Sequence, residues 1–245
     1  MTDIFDWPTF LREFSHAAAG QGFLPEILLE TEDGPLIAWE RKGGEPPIYI
    51  SAGIHGDEPA GPLAALKLME DGVFPVGRHC MICPALNPSG LVLQTRENRQ
   101  GADLNRDYVH QLSPETVAHT RWLASRPVPA LFVSLHEDWE TNGFYFYEIN
   151  LGEDDPQRAS DLLEAVSAHF PAEPRLEIDG HAVRSPGWIC HRAEADLPDF
   201  WPEAIWLAKR GCPLSFTFET PSKAALTARV EAHCAGVRTL LMNWR

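Results

Sequence analysis

Apolar runs of strand length recur along this chain, and segments of helical period separate most of them. Residues 48–54, IYISAGI, form the clearest run and read as a buried strand. Residues 78–86, 130–138, 143–150 and 212–220 repeat the signal. Residues 26–41 divide into two strands at Asp33-Gly34, a hairpin signature. Helices are expected at 3–18, 59–70, 114–125, 155–169 and 223–243, with Pro59, Pro114 and Pro221 supplying starts. Residues 171–202 are Pro-rich and show no regular period. No internal repeat, low-complexity tract or linker interrupts the pattern. Strands alternating with helices predict an α/β fold: a single domain over residues 1–245, with a mixed, largely parallel, twisted sheet flanked by helices. The helix and hairpin of residues 1–45 form part of it.

Composition narrows the function classes. At 245 residues and 44% hydrophobic, the chain has apolar material for one substantial core. A net charge of −15 at pH 7 disfavours a nucleic-acid backbone or an anionic membrane as partner. Five cysteines make an odd, sparse set, which argues against a disulfide framework. Residues 1–20 hold neither a basic lead nor a long apolar run, so no signal peptide or membrane span is expected and the chain reads as cytoplasmic.

Ligands of largely parallel sheets bind beyond the carboxyl ends of the strands, so the residues there carry the functional argument. His55, Asp57 and Glu58 follow the run at 48–54. His136, Glu137 and Asp138 end the run at 130–138, and Glu219 lies near the end of 212–220. Two histidines and one carboxylate, leaving a position open, form a catalytic zinc set. His55 and Glu58 are the close pair of such a set and His136 the distant member. Taken singly, each has an ordinary explanation: a strand-end histidine is commonly structural, and Glu219 can cap a helix starting near Ser222. Together they fall at one edge of one sheet. Residues 87–108 add Arg96, Arg99 and Arg106 amid glycine, asparagine and proline. Read blandly, this is a polar surface loop. Guanidinium forks also match carboxylates by two-point hydrogen bonding and stabilise developing oxyanions.

With these parts in order, the chain resembles the zinc metallocarboxypeptidases of the carboxypeptidase A type. The motifs are HGDE (His55, Glu58), NPSG (residues 87–90), TREN, DLNR (residues 103–106), SLH (His136) and FTFET (Glu219). The wording around NPSG and GADLNRDY is most similar to compact bacterial members, among them murein peptide amidases. The resemblance implies one zinc per chain held by His55, Glu58 and His136. It implies Glu219 as general base and then proton donor, Arg96 or its neighbour Arg99 on the scissile carbonyl, and Asn105 with Arg106 on the substrate's free carboxylate. Asp138, or else Glu137, is the candidate partner orienting His136. The implied substrate is a peptide or an acyl-amino acid with a free carboxylate, and the implied activity is that of a carboxypeptidase or peptide amidase.

The chain departs from digestive carboxypeptidases in one respect. They carry a mobile tyrosine about twenty residues before the catalytic acid, whereas here no tyrosine follows Tyr147 and Trp188, Phe200 and Trp201 occupy the interval. The related aspartoacylase and succinylglutamate desuccinylase branch, which cleaves N-acyl amino acids, usually adds a β-rich region after the catalytic acid; the 26 residues after Glu219 read as one helix. A zinc-dependent peptide-binding protein without turnover is the non-enzymatic alternative, and a base beside the ligands speaks against it. His79-Cys80-x-x-Cys83 reads as core strand rather than metal site, and Phe144 to Tyr147 as sheet core. Residues 171–202 are expected to shape the side-chain pocket. Their Arg175, Arg184, Arg192, His181 and His191 are solvated loop positions or, functionally, a preference for acidic substrates.

Overall fold

The computed structural model describes residues 5–243. In chain order the elements are α1 (Trp7–Gly20), β1 (Leu24–Thr31), β2 (Gly34–Arg41), β3 (Gly44–Ala52), α2 (Ala60–Glu70), β4 (Arg78–Cys83) and α3 (Pro88–Leu93). A 3-10 turn at Leu104–Arg106 follows, then α4 (Pro114–Ala124), β5 (Leu131–Asp138), β6 (Tyr145–Asn150) and α5 (Pro156–Val166). The chain ends with β7 (Glu177–Ile178), β8 (His181–Ala182), β9 (Trp188–Cys190), α6 (Glu203–Lys209), β10 (Leu214–Pro221) and α7 (Leu226–Asn243).

Eight strands form one sheet in the order β1-β2-β4-β3-β5-β10-β6-β9. The central strands β4, β3, β5 and β10 run parallel, which makes this the mixed, mostly parallel α/β sheet that the pattern predicts. The β1–β2 hairpin joins one side antiparallel, and β6 joins β10 antiparallel on the other. Alternation along the strands sorts side chains to two faces. Ile48, Ile50, Val133, Leu135, Phe216 and Phe218 pack with Phe14 of α1, Leu68 of α2, Leu162 of α5 and Val237 of α7. Tyr49, Met81 and Phe132 face the other way, toward Trp122 of α4 and Trp206 of α6. Cys80 and Cys83 join opposite clusters, since residues three apart on a strand point to opposite faces, so they cannot close on one ion.

Some boundaries differ from expectation. Helix α1 starts at Trp7, where Asp6 caps it by accepting from the Thr9 amide at 3.2 Å; residues 3 and 4 of the expected helix lie outside the described residues. The last helix starts at Leu226 because Pro221 still belongs to β10. The Pro-rich segment is partly regular, holding the β7–β8 hairpin and the edge strand β9. No described helix is long and apolar enough to cross a membrane.

Candidate metal centre and its cavity

The turn after β3 carries the first pair of donors. Gly56 lies so close to the next polar turn that a Cβ there would sit 1.8 Å from the Gly90 carbonyl carbon. Only glycine permits that contact, and it locks the HGDE turn against NPSG. Asn87 braces the same junction, accepting from the Gly90 amide at 2.8 Å and donating to the Ile54 carbonyl at 3.2 Å. His55 and Glu58 are thereby buried while Asp57 faces solvent.

His136 arrives on β5 and completes the set. His55 Nδ1 lies 2.6 Å from Glu58 Oε1, and His136 Nδ1 lies 3.0 Å from Glu58 Oε2. The donor atoms of all three lie within 4.8 Å of one another. Burial alone would lower the His55 pKa, but the Glu58 and Asp103 carboxylates outweigh it and push it up to about 9. Burial likewise works against ionising Glu58, yet the two imidazoles hold its carboxyl well below the usual range. Burial lowers His136. Two imidazole Nδ1 atoms and a carboxylate, buried and convergent, fit a borderline divalent cation such as zinc. Asp103 Oδ1 stands 3.2 Å from His55 Nε2 and orients that ring from behind.

Arg96 reaches this cluster and Arg99 does not. Arg96 Nη1 is 3.3 Å from His55 Nδ1 and 3.7 Å from Glu58 Oε1, while its Nε donates to Asp103 at 3.0 Å. Arg99 is tied to Asp33 in the β1–β2 turn, with Nε donating at 2.9 Å. Asn105 and Arg106 line the same cavity as the three donors and Glu219. The Asn105 side-chain oxygen Oδ1 accepts from the Glu203 backbone amide at 3.0 Å, which leaves the side-chain NH2 group to donate elsewhere. Neither expected partner of His136 takes that role. Glu137 accepts from the Ala60 amide at 2.7 Å and pairs with Arg229, tying α2 to α7. Asp138 accepts from the Tyr145 hydroxyl at 3.2 Å and from the Glu140 amide.

The cavity, about 470 Å³, lies on the face of the sheet rather than only at its edge. In register across β5, β10 and β6 run the rows His136–Glu219–Tyr145 and Ser134–Thr217–Tyr147. Alternation therefore splits the aromatic run of β6: Phe144 and Phe146 enter the core, as expected, whereas Tyr145 and Tyr147 face the cavity. The strand end holds Glu219, whose pKa is well raised, first by burial and then by the Glu58 charge. At the floor, Glu203 is 1% exposed; its Oε2 accepts from Ser51 at 2.7 Å and its Oε1 has no hydrogen-bond partner. Burial pushes this carboxyl up to about 7.

The arginines of residues 171–202 do not line the cavity: Arg175 and Arg184 are engaged with Glu140 and Asp154, and acids such as Asp179, Asp196 and Glu203 line it instead. Of the basic residues in that segment, His181 and His191 are the ones that line the cavity. Exposed Trp139 and Phe200 stand at the cavity, whereas Trp188 and Trp201 do not line it. Asp103 and Glu203 escaped sequence reasoning as site residues. Asp103 sits inside the DLNR motif and was within reach of it; Glu203 carries no local signal.

Comparison with known proteins follows the same lines. The succinylglutamate desuccinylase/aspartoacylase catalytic domain family matches residues 45–133. Carboxypeptidase SOL1 of Arabidopsis thaliana is 32% identical over 133 residues, which is 46% of this chain but only 26% of that protein. A Shewanella amazonensis protein provisionally assigned as a metallopeptidase superposes with a TM-score of 0.84 at 24% identity, covering 99% of this chain and 96% of its own. A Pseudomonas aeruginosa metallo-carboxypeptidase in complex with (2-guanidinoethylmercapto)succinic acid superposes with a TM-score of 0.67 at 18% identity, over 95% of this chain and 67% of that one. The fold is shared with these metallopeptidase and carboxypeptidase structures, in agreement with the resemblance read from the motifs.

Proposed function

We propose that this chain, working as one domain in the cytoplasm, is a zinc-dependent hydrolase that cleaves an amide bond next to a free carboxylate, as a metallocarboxypeptidase or peptide amidase does. One observation carries the reading: a buried two-histidine, one-carboxylate set and a separate carboxyl group, Glu219, share one cavity. His55, Glu58 and His136 hold one zinc ion. Bound there, zinc supplies Lewis acidity toward a carbonyl oxygen and toward water.

The chain's own residues do the rest. Glu219 accepts the proton of the attacking water and returns it to the departing nitrogen. Arg96, held by Asp103, donates to the carbonyl oxygen as negative charge gathers there. Arg106 and the Asn105 NH2 group take the free carboxylate and so fix which amide is presented.

The aspartoacylase-type family match supports a second reading, deacylation of N-acyl amino acids, because the same carboxylate clamp serves it. The test loads the metal-stripped protein with zinc. It then assays peptides with free and amidated C-termini beside N-acyl amino acids. Cleavage only of peptides with a free C-terminus supports the first reading, and turnover only of acyl-amino acids the second. Zinc binding with tight peptide retention and no turnover of any substrate refutes both and leaves a binding protein.

A further inference from the structure

A second set of two histidines and one carboxylate stands at the same cavity: His181, His191 and Asp196. Its donor atoms also lie within 4.8 Å of one another. His181 Nε2 is 3.3 Å from one Asp196 oxygen, and His191 Nε2 is 3.4 Å from the other. The carboxylate thus faces two ring nitrogens at separations longer than a charge-assisted hydrogen bond between such groups.

The His191 tautomer decides what this means. Its Nδ1 lies 2.6 Å from the Arg192 carbonyl oxygen, an acceptor only, so Nδ1 carries the proton. In the neutral ring, Nε2 then points a lone pair at a carboxylate oxygen. That arrangement is repulsive. Either a proton on Nε2 or a cation held between the two relieves that repulsion, and with His181 Nε2 facing the other carboxylate oxygen a single cation serves all three groups. The two imidazole rings meet at 4.8 Å between centroids, and the Tyr147 ring packs edge-on against both, at 5.6 and 6.0 Å, which limits their rotation. Tyr147 is in turn anchored through its hydroxyl to Asp179 at 3.0 Å.

We propose that His181, His191 and Asp196 form a second binding site for a divalent transition cation of the zinc class. The side chains are 23%, 12% and 64% exposed, so the site is wetter and less held than the buried set. Its affinity is therefore lower by about tenfold or more, the scale on which supporting contacts act on metal affinity. The proposal does not depend on the catalytic reading of the buried set.

The experiment titrates the metal-stripped full chain with zinc at pH 7.5 by calorimetry and checks content by elemental analysis after equilibration with buffered zinc. Two ions per chain are expected for the parent protein, one tight and one weak. Asp196→Asn, nearly the same shape on an exposed loop, removes the weak ion and keeps the tight one; His181→Ala does the same. His136→Ala removes the tight ion and keeps the weak one, which separates the fate of the two sites. Binding of a single ion by the parent, or a weak ion that survives in both Asp196→Asn and His181→Ala, overturns the proposal. Thermal melts of the metal-free variants establish that they fold, and Asp196→Asn serves as the deciding case if His181→Ala does not.

Discussion

Two clusters of identical donor composition share the cavity, and they are built by different means. His55, Glu58 and His136 come from a locked turn and a central strand, and all are buried. Asp103 backs one of the rings, and Arg96 lies against the set. His181, His191 and Asp196 come from one Pro-rich segment and are partly open to water. The difference teaches that ligand chemistry is the smaller part of a metal centre. The central strands fix their donors as part of folding the whole sheet, whereas the second set draws on a short hairpin and an exposed loop with fewer contacts behind them. Glu219 adds the second distinction, since it stands in register with His136 on the adjacent strand.

The largest test separates binding from chemistry at the buried set. Glu219→Gln should lower kcat by about 10³-fold, within the range for a general base, with zinc content unchanged. Loss of zinc together with activity would make Glu219 a ligand and erase the distinction. Next, Asp103→Asn should weaken zinc at the buried set by about 10–100-fold and leave the exposed set unaltered, as read by competition with a chelating dye. Equal weakening at both would show that the contrast is not one of local support.

Arg106→Ala should raise KM by about tenfold for substrates with a free carboxylate, a loss on the scale of a hydrogen bond to a charged group. Substrates with an amidated terminus should be unaffected; an equal effect on both would remove the clamp.

A last test, of stability rather than activity, compares Glu58 with a third buried carboxyl. Imidazoles hold Glu58 low, whereas burial pushes Glu203 up to about 7. For Glu203 the folded state keeps its proton longer than the unfolded chain. Its ionisation therefore costs stability progressively as pH rises from about 4.5 to about 7, and no further above that. The full cost is about 3 kcal/mol. Glu203→Gln should thus raise Tm at pH 8 by about 6–12 °C relative to its effect at pH 4.5. A pH-independent difference in melting would refute the raised pKa.

How much was legible follows from particular residues. His55, Glu58, His136 and Glu219 carry local signals, because each follows or ends an apolar run. The roles of Asp138 and Glu137 could not be assigned that way. Adjacent residues on a strand point to opposite faces, and Glu137 turns away to α2 and Arg229. The sequence favoured Arg96 and left Arg99 as its alternative; Asp33, 66 residues from Arg99, captures the latter. Glu203 opens a short helix and reaches the cavity only because that helix lies across the sheet face.

By itself, the sequence determined the period of each element, and with it the split of the ends of β5 and β10 into an apolar and a polar row: Ser134 and His136 against Val133 and Leu135, Thr217 and Glu219 against Phe216 and Phe218. Backbone geometry enforces that split locally. Which polar rows become neighbours was decided only by the tertiary structure. Strand order and register depend on contacts between residues far apart in the chain, and β10 reaches its place between β5 and β6 after more than sixty residues have folded elsewhere.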